Sequence, residues 1–351
     1  MKFSSSSAAL LLVASSSGFA ANLQISQIAD QGQELQVFYR MENSNAPAAA
    51  APTMRAWLDQ LALAPVETTQ AAVAAPVTVV VAIDTSRSMS SVYFAEMLVS
   101  LAGTLETLPA GSQVALQTIA SSMQTRVAFG PASAVVAALP TLRPDSPSTS
   151  LSEGIIEAQR MNDTAAGPPS RRFVLLITDG LYDEAPTVSA EELLKKLRQG
   201  RSPIFAAVLA KSQGKQPLEK LGVLSQVMRA SGGKLLVLRE PVDDGLQELL
   251  RTAMDTRVAS FNCAACQRDG HVHVLTMESS AGDAILKEQR ELILLPLAAG
   301  TQPNGATEIA LGSEAPRPVS AGWAQSKGLL SVFGAFVLGI GVAVVWSRRR
   351  R

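Results

Sequence analysis

The chain is 351 residues long, 47% hydrophobic and 17% charged, enough for one to three domains with a sizeable core. Lys+Arg and Asp+Glu balance at 30 each, so no global field favours nucleic acid or anionic lipid, and the body of the chain has no basic stripe.

The first 20 residues carry the marks of a secretory signal peptide. Lys2 is a thin positive start, 8–14 is a short apolar run, and Gly18-Phe19-Ala20 offers small residues for cleavage. That run is too short to span a bilayer. Residues 21–72 then contain three strand-like stretches, 23–28, 34–41 and 54–63, interrupted by an Ala/Pro-rich loop at 45–52, and 73–76 is a short linker.

From 77 to 259 strands and helices alternate. The β-branched run 77–83 has the pattern of a strand buried on both faces, and 173–178 repeats it. Between them 91–108 places Phe94, Met97, Leu98, Leu101, Leu105 and Leu108 at helical spacing, 113–119 is a strand, 124–129 its hairpin partner, and 150–160 a helix. Then come helix 191–198 stopped by Gly200, strand 204–209, helix 217–230 ended by Gly232-Gly233, strand 234–238 and helix 241–254. Such alternation predicts a doubly wound parallel sheet, whose ligands bind beyond the carboxyl ends of its strands.

Residues 260–296 return to short strands: 256–262, 271–277 and 284–295. Neither flank has enough strands to bury a face alone. The expected architecture is therefore one small β-sandwich, built from 21–72 and 260–296, with the α/β domain inserted between its halves. A Pro/Gly/Ala-rich stretch, 297–327, reads as a flexible stalk. The uncharged apolar stretch 328–346 is long enough for one transmembrane helix, flanked by Trp323 and Trp346. The basic tail 347–351 follows and belongs in the cytoplasm by the positive-inside rule. This predicts a single-pass protein of the cell membrane, with a periplasmic or extracellular ectodomain. The rival is a C-terminal sorting signal, processed rather than retained.

The strand 77–83 runs into Asp84-Thr85-Ser86-Arg87-Ser88, a D-x-S-x-S sequence where a binding loop belongs. Ile177-Thr178-Asp179-Gly180 ends a second apolar strand with an acid, and Ser148-Thr149-Ser150 opens a helix between them. D-x-S-x-S alone is a weak signal, because Ser and Asp are common turn residues. Three such loops in order, each at a strand or helix end, are far more specific.

This set resembles the von Willebrand factor type A (vWA) family, whose metal-ion-dependent adhesion site is built from D-x-S-x-S, Thr and T-D-G loops on a Rossmann-like fold. The resemblance implies that Ser86, Ser88 and Thr149 ligate a divalent cation directly, while Asp84 and Asp179 orient them and balance its charge. Hydroxyl and carboxylate oxygens suit Mg²⁺, with Mn²⁺ or Ca²⁺ as alternatives, rather than Zn²⁺ or copper. Neutral direct ligands leave the ion electrophilic, with a position open to a protein partner's acidic side chain. The implied function is cation-dependent protein binding or adhesion. The sequence departs from the family in one place: Pro147 and Ser148 precede the Thr where many members have small residues, and Asp145 lies nearby.

Two other functions stay in view. A metal-dependent hydrolase would have to work without a positioned base, because no G-x-S-x-G elbow, P-loop or G-x-G-x-x-G occurs, and no organic cofactor is expected. A scaffold or chaperone-like subunit of a larger complex would need a cytosolic location. Cys263 and Cys266 are spaced C-x-x-C without a following helix, which disfavours redox catalysis. In an exported chain a disulfide is expected, with a Cys₂His₂ zinc site including His271 and His273 as the alternative.

Overall fold

The computed structural model describes residues 22–42, 53–66, 75–89, 91–166, 171–180, 188–209, 218–238, 244–281 and 284–297. The expected signal peptide, the Ala/Pro loop, the stalk beyond residue 297, the transmembrane helix and the basic tail lie outside these residues. Among the described residues no helix is long and apolar enough to cross a membrane.

The chain opens with β1 (Asn22–Asp30), β2 (Glu34–Glu42), β3 (Thr53–Leu58), β4 (Leu61–Leu63) and β5 (Pro65–Val66). The α/β unit follows: β6 (Thr78–Asp84), α1 (Ser91–Glu106), β7 (Gln113–Ile119), β8 (Met123–Gly130), α2 (Ala132–Ala138), α3 (Leu151–Asp163), β9 (Arg172–Thr178), α4 (Ala190–Gln199), β10 (Ile204–Leu209), α5 (Leu218–Ala230), β11 (Leu235–Leu238) and α6 (Gly245–Met254). Last come β12 (Arg257–Asn262), β13 (Val272–Ala281) and β14 (Ala284–Ile293).

The central sheet has the order β11-β10-β9-β6-β7-β8, parallel except for β8, which is antiparallel to β7. Its strands are apolar without a break because both faces are covered. Val79, Val81 and Ile83 of β6 join a core with Phe94, Met97 and Leu101 of α1 and Leu246 of α6, while Val80 and Ala82 face Ile155 of α3 and Leu224 of α5. Each such fully buried side chain contributes about 1.5–3 kcal/mol relative to exposure. The sheet is therefore held by its middle, not by its loops. Strand order reverses between β6 and β9, which opens a crevice at their carboxyl ends.

The remaining strands form two four-stranded sheets, β1-β2-β12-β5 and β14-β13-β3-β4. Each draws strands from before and after the α/β unit, and together they enclose one apolar cluster that includes Leu23, Val37, Leu58, Phe261, Leu275 and Met277.

Three local details differ from the sequence reading, and a fourth, at Gly200, agrees with it in place. The stretch 54–63 is a hairpin, β3–β4, turning at Asp59, whose φ of 53° an Asp tolerates better than most residues. Helix α2 was not anticipated. Gly200 ends α4 in an extended conformation (φ −69°, ψ 153°) rather than a left-handed turn, and a Cβ there would overlap the Gln159 amide. His271 and His273 do not share an environment: His271 is exposed, whereas His273 is buried with its ring nitrogens on Asp59 and Asp269. The imidazole that would complete a zinc set is thus already engaged, and Cys263 and Cys266 are joined to each other in a disulfide.

Candidate functional site

Three loops meet at the crevice. Residues 84–89 leave β6, 119–122 leave β7, and 145–150 lead into α3. They are stitched by backbone: Arg87 N donates to Ser146 O (2.8 Å), Ser146 N to Thr85 O (3.1 Å), Thr85 N to Ile119 O (2.9 Å) and Ser150 N to Ala120 O (2.8 Å). The Ser146 hydroxyl accepts from Ser121 N and donates to Ser148 O. Pro147 and Ser148 thus sit in a fixed turn that delivers Thr149 to the site. Asp145 is exposed, and its backbone carbonyl accepts from Arg87 Nε at 3.1 Å.

Asp84 is the hub. It is wholly buried, and its Oδ1 accepts from the backbone amide of Ser86 at 2.9 Å and the Thr149 hydroxyl at 3.3 Å. Its Oδ2 accepts from the Thr178 hydroxyl at 2.8 Å. The Ser86 and Ser88 hydroxyls lie 2.8 Å apart. Asp179, one residue past the end of β9, is 1% exposed. Asp84, Ser86, Ser88 and Thr149 are therefore joined in one hydrogen-bonded set, and Asp179 stands at the end of the neighbouring strand.

None of the donors named around Asp84 carries a positive charge. Burial pushes the Asp84 carboxyl up to about 6, hydrogen bonds from Ser86 and Thr178 oppose this, and the Asp179 carboxylate adds to the rise. Asp84 and Asp179 are thus two buried acids on adjacent strands, with the hydroxyls of Thr149 and Thr178 against Asp84. Among the described residues no group of three or more His, Cys, Asp or Glu is arranged to hold a metal ion. The donors on offer are hydroxyls and two carboxylates, a set that fits a hard divalent cation and does not fit zinc.

One residue of the T-D-G motif has a role that the motif did not assign. Thr178 reads as an ordinary β-branched strand residue, yet its hydroxyl binds Asp84 and accepts from Gly180 N at 3.0 Å. It ties the T-D-G loop to the D-x-S-x-S loop. The available signal was its place immediately before Asp179 at a strand end.

Residues 78–232 match the family model described as the von Willebrand factor type A domain. No curated protein matches the chain. Among solved structures it is similar to a von Willebrand factor type A protein from Catenulispora acidiphila, at 12% identity over 79% of this chain and 73% of that one, with a TM-score of 0.42. An aerotolerance-related membrane protein from Bacteroides fragilis aligns at 15% identity over 51% of this chain and 98% of its own, with a TM-score of 0.38. The conserved hypothetical protein BatB from Bacteroides thetaiotaomicron aligns at 16% identity over 51% and 97%, with a TM-score of 0.39. Residues 78–232, from β6 to the end of α5, thus carry a von Willebrand factor type A domain, whose D-x-S-x-S, Thr and T-D-G loops are joined around Asp84.

Proposed function

We propose that this chain is a binding protein that grips a protein partner through a divalent cation, most simply Mg²⁺, held at the crevice between β6 and β9. Domains of this family commonly mediate protein–protein interaction. In this reading Ser86, Ser88 and Thr149 supply hydroxyl ligands, and Asp84 and Asp179 supply the opposing charge. The cation's chemistry is that of a Lewis acid with one position left for a partner's acidic side chain. The observation that carries the reading is Asp84: a fully buried carboxylate whose named donors are all neutral. Burying such a charge without a counter-charge is costly, and a cation would relieve it.

The same proposal places the binding face outside the cytoplasm. Its supports are the signal-like residues 1–20 and the apolar stretch 328–346 before the arginine tail. It also takes 21–72 and 260–296 as halves of one sandwich carrying the 77–259 domain, and the Cys263–Cys266 pair as oxidised in the mature chain.

The test is calorimetric titration of the purified chain with Mg²⁺ and Mn²⁺. Saturable uptake by the wild type and none by Asp84→Ala is expected. Equal behaviour of the two proteins would dismiss the cation reading. Protease added to intact spheroplasts should digest the vWA domain, and survival of that domain would dismiss the topology. Mass spectrometry after alkylation should find no free thiol.

A further inference from the structure

The opposite end of the central sheet is also a charged site, and no function has been given to it. The strands β9 and β10 begin there, and the helices α4 and α5 end there. Both helices thus aim the negative ends of their dipoles at the same place. The arginine that meets them comes from β14, far away in sequence. Arg290 Nη1 donates to Ile25 O (3.0 Å) and Ser26 O (2.8 Å) in β1, and its Nη2 to Gly200 O (3.2 Å) and Ser231 O (2.9 Å). One guanidinium therefore joins both outer sheets to the ends of two helices of the α/β unit.

Neighbouring contacts repeat the pattern. Arg40 of β2 donates to Gly232 O at 3.3 Å and to Gln24 Oε1 at 2.6 Å, and lies 4.9 Å over the Phe205 ring of β10. Gln24 Nε2 donates to Gly233 O at 3.3 Å, and Gln27 Oε1 accepts from the amide of Arg172, the first residue of β9, at 2.9 Å. Space is as tight as the bonding. A Cβ on Gly232, whose φ is +85°, would lie 2.6 Å from Ser26 O and 2.7 Å from Ile25 O. Only a glycine lets β1 come this close.

We infer that this junction is a rigid seat: Arg290, with Arg40 beside it, locks the α/β unit onto the paired sheets so that the two unfold and move as a single body. A guanidinium bonded to four carbonyls has no lower-energy alternative on swivelling, because each lost bond leaves a polar atom without a partner in a partly desolvated gap. The seat grips β9 at its first residue, and the same strand leads into Asp179 at its far end. A load applied at the crevice therefore passes along β9 into the outer sheets rather than into a hinge. The seat stands without the cation reading, because none of its residues belongs to the crevice.

Native-state hydrogen exchange on the full chain, followed by mass spectrometry across a denaturant series, tests this. In the wild type the most protected amides of β6 and β9 and those of β1, β2 and β13 should lose protection at one common denaturant concentration. In Arg290→Met the amides of the outer sheets should exchange at least ten-fold faster than those of β6 and β9, splitting the transition. Arg290→Lys, which keeps the charge but cannot fork to four carbonyls, should fall between. Arg40→Met, with Arg290 intact, should split it less, and carries the test if Arg290→Met does not fold. Two separate midpoints in the wild type would overturn the inference. So would a single unsplit transition in Arg290→Met, or, if that variant does not fold, in Arg40→Met.

Discussion

The two ends of the central sheet handle buried charge in opposite ways. At the carboxyl ends of β6 and β9, Asp84 and Asp179 are enclosed, and the donors named around Asp84 are all neutral. At the other end, Arg290 and Arg40 are received by carbonyl oxygens and a glutamine side chain, and the opposite charges of Asp163 and Glu288 act on Arg290 where Asp84 has only the like charge of Asp179. Burial pushes Asp84 up to about 6 and Arg290 down to about 10. At neutral pH the arginine remains charged because its reference value is so high. A charge that the fold satisfies by itself is structural, whereas a charge that it leaves short of a counter-ion points to something arriving from outside.

The sharpest way to break this contrast is Asp84→Ala. The crevice should lose measurable Mg²⁺ uptake in calorimetry, while the far-UV circular dichroism stays that of the wild type. Folding survives because β6 is held by Val79, Val80, Val81, Ala82 and Ile83, all wholly buried upstream of the acid. Unfolding of this variant would mean that the carboxylate is structural and that the two ends are alike.

At the seat the matching change is Gly233→Ala. A Cβ at 233 would overlap the backbone of Ile204 at the start of β10, and backbone cannot step aside as a flexible side chain can. A loss of roughly 3 kcal/mol in urea unfolding is expected, with Mg²⁺ affinity per folded molecule unchanged. A drop in affinity in a fully folded Gly233→Ala would show that the crevice responds to the seat.

The crevice was largely legible in the sequence, and the seat was not. Asp84, Ser86, Ser88, Thr149 and Asp179 fall within short motifs, and each motif lies at the end of an apolar strand or the start of a helix. Continuous runs such as β6 and β9 announced strands covered on both faces, and the structure alternates their side chains between two cores. Arg290 is a single arginine in a polar-looking strand, and its acceptors lie 59 to 265 residues away. No local pattern encodes such a contact. The α2 helix has seven residues, Ala132–Ala138, no side-chain cap and one buried side chain, so its periodicity is too short to see. The β3–β4 turn was hidden because Asp59 and Gln60 do not interrupt the apolar alternation on either side.

Smaller changes grade the crevice. Ser88→Ala and Thr149→Ala each remove one neutral oxygen and leave both carboxylates. Each should weaken Mg²⁺ by about ten-fold, the equivalent of roughly 1.4 kcal/mol, measured by the same titration. Thr178→Val should act indirectly, freeing Asp84 Oδ2 from its 2.8 Å hydrogen bond. A Thr178→Ser variant should restore affinity, which a purely steric role for the methyl group would not allow. If Ser88→Ala is as damaging as Asp84→Ala, the hydroxyls carry more of the site than the charges do.

The weakest effect expected lies away from both ends, at His273, where a cation and its acids are all supplied by the fold. Its Nδ1 lies 2.8 Å from Asp59 Oδ2 and its Nε2 lies 3.1 Å from Asp269 Oδ1, so the ring bridges the β3–β4 turn and the loop after the disulfide. Asp59 raises the imidazole's pKa most, burial opposes it, and Asp269 adds to the rise. The folded value therefore lies above the unfolded one, near about 6.5. The stability this bridge contributes is fully present below that unfolded value and is lost as pH rises through the folded one. The partner carboxylates are shifted downward, so they stay ionised across this window. Urea midpoints taken from pH 5.5 to 8.5 should accordingly fall with rising pH, and the fall should flatten in His273→Gln. A wild-type midpoint that rises over this range, or a slope that persists unchanged in His273→Gln, would show that the bridge is not what titrates.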